Sequence, residues 1–288
     1  MLTFLDLFAG IGGFRMGMEM AGHKCLGYVE IDKFARKSYE AIFDTKGEWT
    51  AHDIREVEPN NIPNADVWCL GFPCTDISRA KTERKGLQGE SSGLFYTVIS
   101  LLEKVQHKPS YLFIENVSDL LSTNRGRDFA ELLIALDGQG YDAEWQVINS
   151  SGYVGQNRSR IYVIGHIRGS STRKVFPIPV KSNRAKLKRV ATFDIKSQDA
   201  LKRIYDVNGL CPTLTTMQGG HRQPKILLPN GEARKLTPRE CWRLQGFPDW
   251  AFDKAAAVNS DSQLYKQAGN SVTVNVIYEI AKRLEVRA

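Results

Sequence analysis

The stretch that decides the fold lies at the start of the chain. It reads Leu2-Thr-Phe-Leu-Asp-Leu-Phe8, followed at once by Ala9-Gly-Ile-Gly-Gly13. Such an apolar run predicts a buried strand, and the glycines predict a tight turn into a helix that extends toward Gly22. In a strand–turn–helix unit, backbone N–H groups and the helix N-terminus can approach a bound group. The stretch therefore indicates a cofactor-binding turn in an α/β fold, with a turn that binds nothing as the alternative.

An acidic residue follows the second predicted strand. Glu30 stands 20 positions after Gly10, directly after the strand 24–29. A carboxylate at this spacing usually binds ribose hydroxyls, so the pattern fits a nucleoside cofactor. Arg15 stands where the dinucleotide fingerprint needs glycine or alanine, which disfavours a nicotinamide oxidoreductase. Asp53-Ile54, after a third segment, could contact an adenine edge, although an Asp in a loop is more often a turn residue or a cap.

Short apolar runs alternate with helical patterns up to residue 168. The predicted strands after the first two are 67–70, 111–114, 143–148 and 160–167, and the predicted helices are 94–105 and 128–137. This alternation predicts an α/β fold with a doubly wound, mostly parallel, Rossmann-like sheet. Beyond residue 168, prolines and glycines interrupt short strand-like pieces, which predicts a small, loop-rich β domain. Helical pattern returns at Pro238, with Thr237 as N-cap, and again over 274–284.

The composition is that of a folded protein. Of 288 residues, 42% are hydrophobic and 25% charged, which excludes a disordered or collagenous chain. No apolar run approaches the ~20 residues of a membrane span, and the N-terminus lacks the basic region of a signal peptide. The five cysteines form no CxxC pair, which argues against a disulfide framework or a zinc site. We expect a cytoplasmic protein with no metal and no membrane partner.

The net charge of +7 is concentrated in one segment. Residues 168–190 contain eight basic residues and no acid, whereas the rest of the chain has 31 basic and 32 acidic residues. Clustered Lys and Arg is the electrostatic footprint of a nucleic-acid binder. A solvated linker is the alternative that composition alone leaves open.

Chemically versatile residues stand at the ends of further predicted strands. Cys74 follows the strand 67–70, and Glu115 follows the strand 111–114. Arg158 and Arg160 are two apart at the start of the strand 160–167, so they share a face. Taken singly, each has a structural explanation: a buried small residue, a helix-start acid or a surface pair. Their succession at strand ends indicates one site at one edge of the sheet.

These elements match a known family in sequence and in order. They are Phe4-Leu-Asp-Leu-Phe-Ala-Gly-Ile-Gly-Gly13, Gly71-Phe-Pro-Cys74, Ser92-Gly-Leu-Phe95, Glu115-Asn-Val117, Gln156-Asn-Arg-Ser-Arg160, Lys235-Leu-Thr-Pro-Arg-Glu-Cys-Trp-Arg-Leu-Gln-Gly-Phe-Pro248 and Gln267-Ala-Gly-Asn-Ser-Val272. The chain resembles the bacterial and phage DNA (cytosine-5)-methyltransferases. Only about 168–205 lacks a recognisable motif.

The resemblance implies a covalent mechanism. Cys74 would add to C6 of cytosine as a thiolate and so activate C5. Glu115 would hold ring N3 through a shared proton, and Arg160 would bond O2, with Arg158 supporting the pocket. C5 would then take the methyl group of S-adenosylmethionine, leaving S-adenosylhomocysteine. One departure from the family is Thr75, which stands where glutamine usually follows the catalytic cysteine.

The resemblance also implies the cofactor residues and the domain layout. Beside Glu30, the expected cofactor-binding residues are Phe8, Gly10, Ile11, Gly12, Ile31, Asp53, Ile54, Pro73, Leu94, Asn270 and Ser271. The last two come from the far end of the chain, so the C-terminal helix is expected to pack beside the first strand. The large domain is therefore expected to be discontinuous, 1–170 and 238–288, around a small target-recognition domain, 171–237.

The implied substrate is double-stranded DNA, from which the target cytosine must be flipped out. The polar loop 75–93 resembles the family's closing loop. The expected DNA-binding residues are Ser78, Arg79, Gln156, Thr213, Leu214, Gly219, Gly220, His221 and Arg222, the last of these near a Gly-Gly turn that could read base edges. The short recognition region predicts a short specific target.

Three alternatives stay open. A tRNA cytosine-5 methyltransferase would use the same catalytic motifs, although the Thr213-Leu214 dipeptide and the basic small domain favour DNA. An inactive binding module would keep the fold, although intact Cys74, Glu115 and Arg160 count against it. An oxidoreductase is disfavoured as above. We expect a monomer, with a restriction endonuclease only as a possible genetic partner.

Overall fold

The computed structural model describes residues 1–72, 93–179, 185–193, 198–219 and 221–286. The strands are β1 Thr3–Asp6, β2 Lys24–Val29, β3 Trp49–Ala51, β4 Val67–Leu70, β5 Tyr111–Val117, β6 Tyr141–Asn149, β7 Ser159–Ile167, β8 Arg189–Thr192, β9 Arg203–Asp206, β10 Lys225–Leu227 and β11 Ala233–Lys235. The α-helices are α1 Gly13–Met20, α2 Lys33–Ile42, α3 Leu94–Lys104, α4 Arg127–Gly138, α5 Asp199–Lys202, α6 Pro238–Arg243, α7 Asp249–Ala256, α8 Asp261–Asn270 and α9 Val274–Ala281.

The first seven strands form one sheet in the order β3-β2-β1-β4-β5-β7-β6. The pairs from β3 to β5 are all parallel, and β7 is antiparallel to both of its neighbours. The predicted α/β class with a mostly parallel, doubly wound sheet is confirmed. The strand order changes direction on either side of β1, and ligands bind in open α/β sheets at such a switch point. The turn after β1 is therefore placed for cofactor binding.

The central strands are buried on both faces because helices cover the sheet on each side. All seven residues of β5 are buried, and so are all four of β4. This is why these strands read as continuous apolar runs rather than as alternating patterns. One core cluster includes Leu5 and Leu112 under α3 and α4, and a second includes Phe4 and Phe113 under α1 and α9.

The end of the chain packs against its beginning. A Cβ on Gly17 of α1 would lie 2.7 Å from the Ile277 side chain of α9, so the glycine permits close contact of the two helices. Gly13 is equally tight, because a Cβ there would lie 2.7 Å from Ser271 Oγ. The two glycines bring residues 271–277 beside the turn after β1.

A second, four-stranded sheet lies in the order β11-β10-β9-β8. It is joined to the large sheet near the start of β7, where Cys211 N donates to Gly155 O at 2.8 Å and Asn157 N donates to Cys211 O at 2.8 Å. Helix α6 then begins with a capping box, in which Thr237 Oγ1 accepts from Glu240 N and the Glu240 carboxylate accepts from Thr237 N. The predicted N-cap at Thr237 is therefore confirmed.

No helix within the described ranges combines the length and apolar character that a bilayer crossing needs.

Candidate active site

The carboxyl ends of β1, β2, β4 and β5 lie along one edge of the sheet, because these strands are parallel. Polar side chains and glycines that follow these strands are thereby brought together. The edge carries the glycine turn after β1, Glu30 directly after β2, and Glu115, which lies two residues before the end of β5. It is the candidate active site.

The glycine turn needs glycine at two positions. Gly10 and Gly12 have φ of +55° and +82°, in the left-handed region that side chains disfavour. A Cβ on Gly12 would also lie 2.2 Å from the Phe43 ring, whereas a Cβ on Gly10 would meet nothing within 4 Å. Among the described residues, Gly10 thus borders open space, with Phe8 half-buried before it and Ile11 buried in the core. Backbone atoms of this turn, and not the Ile11 side chain, face the open side.

Glu30 is tied to the turn by its own carboxylate. Its Oε2 accepts from Gly10 N at 2.6 Å, and its Oε1 accepts from Asp32 N at 2.7 Å. Burial raises the pKa of Glu30, and these backbone amides oppose that shift. The carboxylate is therefore held in one orientation next to Gly10, with acceptor capacity left for hydroxyl donors.

The residues around Glu30 offer an apolar surface and a second acid. Ile31 is 63% exposed, which is unusual for an isoleucine that follows a buried strand. Asp53 is half-buried, and its carboxylate binds both the backbone N and the guanidinium of Arg55, which lowers the pKa of Asp53. The Ile54 side chain is buried in the core, so only its backbone could face a cofactor. Leu94 lies partly buried at the start of α3.

The far end of the chain completes this edge. Asn270, the last residue of α8, is exposed, and Ser271 is buried with its Oγ against Gly13. The Ser271 carbonyl accepts from Arg158 Nη2 at 2.9 Å. Gly13 and Ser271, which come from opposite ends of the chain, thus meet at the glycine turn after β1.

Glu115 and Arg160 form the second half of the site. Arg160 Nε lies 3.1 Å from Glu115 Oε1, an ion-pair distance. Glu115 Oε1 is nevertheless buried without a hydrogen-bond donor among the residues that the structure describes. The antiparallel pairing of β5 with β7 sets this arrangement, because Val117 is opposite Arg160 and Glu115 is opposite Tyr162. Burial and the nearby Glu115 charge raise the pKa of Tyr162.

Arg158 and Arg160 do not bind the same partner. Arg158 precedes β7, is buried, and donates to the carbonyls of Leu214, Gly269 and Ser271 at 3.2, 3.3 and 2.9 Å. Arg158 thus joins Leu214 to residues 269–271 at the carboxyl edge of the sheet, while Arg160 pairs with Glu115. The alternative of a surface pair on an edge strand does not hold, because β7 lies between β5 and β6.

Gln156 is a second connection of the same kind. Its side chain is fully buried, donates to Leu244 O at 2.9 Å and accepts from Leu214 N at 3.0 Å. The Leu214 side chain is likewise buried in the core. Gln156 and Leu214, the two residues expected to contact DNA, therefore lie beneath the protein surface. They pair across 58 positions, and no local sequence pattern indicates this contact.

The remaining expected recognition residues lie at the surface. Thr213 is exposed, although its hydroxyl donates to Asn157 O at 2.7 Å. Gly219, His221 and Arg222 are exposed, and His221 has a φ of +61°. Pro73, Cys74, Ser78, Arg79 and Gly220, together with most of the loop 75–93, lie outside the described residues.

Asp6 carries a feature of the site that its sequence position did not reveal. It ends β1 directly before the glycine turn, is fully buried, and has no well-aligned hydrogen-bond donor at either carboxyl oxygen among the described residues. Burial raises the pKa of Asp6 to about 7, although the amide and charge of Arg15 oppose the shift. No group of His, Cys, Asp and Glu side chains within the described ranges has the geometry of a metal site.

Comparison with known proteins places these features in context. A family model described as C-5 cytosine-specific DNA methylase matches residues 2–210 and 187–286. The type II methyltransferase M.Bsp6I of Bacillus sp. (strain RFL6) is 34% identical to this chain, over 99% of this chain and 98% of that protein. The type II methyltransferase M.HhaI of Haemophilus parahaemolyticus is 32% identical, over 97% and 93%.

A solved structure agrees in fold. The S. pombe Dnmt2 methyltransferase superimposes with a TM-score of 0.73 at 19% identity and covers 98% of each chain. At that identity the likeness supports the fold and no more.

Proposed function

Because this chain belongs to the C-5 cytosine-specific DNA methylase family, we propose that its Glu115–Arg160 pair binds a cytosine flipped out of duplex DNA. The chain is a DNA (cytosine-5)-methyltransferase. The observation that carries the proposal is the buried Glu115 Oε1, which lies beside an arginine and has no hydrogen-bond donor within the described ranges. In such a pair, Glu115 presents an acceptor or a shared proton to the Watson–Crick edge of a base, and Arg160 presents a cation.

The family implies S-adenosylmethionine as methyl donor, and the residues at the glycine turn fit that molecule. Glu30 offers carboxylate oxygens to ribose hydroxyls, the exposed Ile31 offers an apolar face to adenine, and Gly10 leaves open space above its backbone. We propose that Asp53, Ser271 and the Ile54 backbone complete the pocket, together with Phe8, Gly12, Pro73, Leu94 and Asn270. When bound, the cofactor supplies an electrophilic methyl group on a sulfonium.

Cys74 is proposed as the nucleophile, by its position in the family motif Gly71-Phe-Pro-Cys74. Its thiolate would form a bond to C6 of cytosine, and the electron pair of the C5–C6 double bond would move to C5. C5 would take the methyl group, and loss of the C5 proton to a base would then restore the double bond and expel the thiolate.

Glu115 and Arg160 would act on the base during this addition. Negative charge develops on the ring as the thiolate adds, and a proton shared between the Glu115 carboxyl and N3 would reduce it. Arg160 would bond O2 and fix the ring against rotation. Arg158, by contrast, donates to the backbone carbonyls of Leu214, Gly269 and Ser271, so its proposed role is to hold Arg160 and residues 269–271 in register.

The small sheet is proposed as the target-recognition unit, within the boundaries 171–237, with the large domain formed by 1–170 and 238–288. Its exposed Gly219, His221 and Arg222 lie in one turn and carry groups that can read base edges. Gly220, Ser78 and Arg79 are proposed to contact DNA by the family pattern. Gln156 and Leu214 would act from beneath this surface.

The proposal is tested by expressing the chain in a host and sequencing the host DNA after bisulfite treatment. Protection of cytosines at one short recurring sequence, lost in Cys74→Ser, is the expected result. Purified protein is then offered duplex DNA and tRNA with labelled cofactor. Labelling of tRNA alone would overturn the DNA assignment, and labelling of neither, with intact cofactor binding, would support an inactive module.

Biological context follows from the names of relatives only. The relatives M.Bsp6I and M.HhaI are type II methyltransferases, which suggests a restriction–modification setting for this chain. We propose a monomer that acts on DNA in the cytoplasm of a prokaryotic cell, with a restriction endonuclease as a genetic partner. Size-exclusion chromatography with light scattering tests the monomer directly.

A further inference from the structure

Lys225, on β10 of the small sheet, is a lysine in an unusual place. It is 2% exposed, although lysine is among the residues least often buried. No carboxylate lies within ion-pair distance of it in the described part of the chain. Burial lowers the pKa of Lys225, and the charge of Lys235, directly opposite on β11, adds to this effect. Groups other than a carboxylate must therefore stabilise the buried ammonium of Lys225.

The ammonium is bound by three backbone carbonyls. Lys225 Nζ donates to His221 O at 2.7 Å, to Leu201 O at 2.8 Å and to Gln223 O at 3.2 Å. An ammonium has three donors and no acceptor, so these carbonyls satisfy it completely. Two of them belong to the turn that contains the exposed Arg222, and the third belongs to α5. Lys225 thus holds this turn against the body of the small domain.

The backbone of the turn is in a conformation that needs such support. His221 has a φ of +61°, and Met217 has a φ of +51°, both in the left-handed region that non-glycine residues disfavour. Gln223 adds a bond from its Nε2 to Met217 O at 3.3 Å. Strained residues persist where the surroundings over-determine them, and they concentrate at functional segments. Lys225 thus binds the carbonyl of His221, and Gln223 binds the carbonyl of Met217, the two residues with positive φ.

We propose that Lys225 is a positioning residue for target recognition, which fixes the direction in which the His221 and Arg222 side chains leave the backbone. This inference rests on the proposed function, in which residues 219–222 meet the DNA. Lys225 itself is buried beneath the turn and touches no base. It acts through the turn, and a shift of about 1 Å there would misalign any bidentate contact to a base.

The test compares Lys225→Met with Lys235→Met. Each removes one positive charge from the same β-hairpin, but only Lys225 binds the turn. The recurring sequence found by bisulfite sequencing is placed in duplex oligonucleotides, together with versions altered at single base pairs. Steady-state kcat and KM for DNA are measured on each, with cofactor binding measured separately by calorimetry.

For Lys225→Met we expect the preference for the cognate over altered sequences to fall by about tenfold or more, the cost of one well-placed base contact. The KM for cognate DNA should rise, while kcat at saturating DNA and cofactor affinity stay close to the parent values. Lys235→Met should keep the parent preference. A preference in Lys225→Met equal to that of the parent would overturn the inference, whatever its stability.

Lys225→Gln provides a second variant should the methionine variant not fold. It keeps two donors but no charge, so a smaller loss of preference is expected, and an unchanged preference would again overturn the inference. Failure of the proposed function is a separate result: the parent protein itself would then methylate no DNA or show no sequence preference.

Discussion

Arg160 Nε lies 3.1 Å from Glu115 Oε1, on adjacent antiparallel strands at the carboxyl edge of the sheet. Within the described part of the chain, no group donates a hydrogen bond to this carboxyl oxygen. A buried carboxyl group that is paired by charge but not by a hydrogen bond is held ready to share a proton with a ligand. Adenine, guanine and thymine present different patterns of hydrogen-bond donors and acceptors at their Watson–Crick edges. The Glu115–Arg160 pair therefore also contributes to the choice of base.

Glu115→Gln should abolish most catalysis while preserving the fold. The amide is close in shape to the carboxyl but can neither share a proton with N3 nor pair with Arg160. We expect kcat to fall by about 10²–10⁴-fold, with cofactor affinity unchanged, since Glu30 is untouched. Single-turnover methylation of duplex DNA measures the loss.

Glu103→Gln is the matched control, because Glu103 is exposed on α3. It should leave the rate within about twofold of the parent value. A Glu115→Gln rate as high as that of the control would remove Glu115 from the mechanism.

Glu30→Ala should weaken cofactor binding. The substitution removes the acceptor for ribose hydroxyls and leaves the amides of Gly10 and Asp32 without their partner. Loss of two bonds to a charged group predicts an affinity lower by about 10–100-fold. Calorimetry with S-adenosylhomocysteine measures it without turnover, with the exposed Glu58→Ala as control. Equal affinities in the two variants would contradict the role.

Asp6 should make stability depend on pH. Burial raises the pKa of Asp6 to about 7 from an ordinary value of 3.8, so the folded state binds a proton that the unfolded state has lost. The contribution is fully present below pH 3.8 and is lost as pH rises through about 7. The free energy of unfolding of the parent should therefore fall with rising pH.

Asp6→Asn removes this titration, so the free energy of unfolding of the variant should fall less with rising pH than that of the parent. Between pH 5 and 8 we expect the parent to lose about 2–3 kcal/mol relative to the variant, on the order of 1.4 kcal/mol for each pH unit below 7. Urea unfolding at several pH values measures both curves. The exposed Asp261→Asn should run parallel to the parent, and a parallel curve for Asp6→Asn would show that Asp6 is ionised when folded.

The sequence was informative where local pattern and function coincide. The strand end before Glu30 follows from an apolar run, and the turn at Gly10 and Gly12 follows from the need for positive φ. The sequence predicts that the strand before Glu115 ends at residue 114, whereas β5 continues through Glu115 to Val117. Helix α2 is absent from the sequence-based expectations, although Asp32 is its N-cap and accepts from Phe34 N at 2.8 Å. Charged and polar residues interrupt the apolar residues of α2, so its helical pattern is difficult to recognise in the sequence.

Contacts between distant segments could not be read in this way. The bonds from Gln156 to Leu214 and from Arg158 to Ser271 join residues 58 and 113 positions apart. Nothing local distinguishes a glutamine that reads DNA from one that binds a backbone amide. The pairing of β5 with β7, which decides that Arg160 and not Arg158 faces Glu115, is likewise a property of the whole sheet.

The described basic residues of the segment 168–190 divide into two classes that sequence alone does not separate; Lys181 and Arg184 lie outside the described residues. Arg168 pairs with Asp137 and Asp142, Arg173 with Glu285, Lys188 with Asp206 and Arg189 with Asp199. Lys174 and Lys186 are exposed and have no carboxylate within ion-pair distance in the described ranges. Phosphates of DNA would therefore be met more readily by these two lysines than by the paired arginines.

Lys174→Gln/Lys186→Gln should accordingly flatten the salt dependence of DNA binding. Each lost phosphate contact lowers the magnitude of the slope of log K against log salt by about 0.9, so the double variant should lose up to about 2. Arg168→Gln/Arg173→Gln removes the same net charge from the same segment but exchanges existing ion pairs, so its slope should change less. Fluorescence anisotropy over a salt series measures all three proteins. Unchanged slopes in both variants would mean that the segment is a solvated linker, whereas equal flattening in both would mean that its total charge acts on DNA without defined contacts.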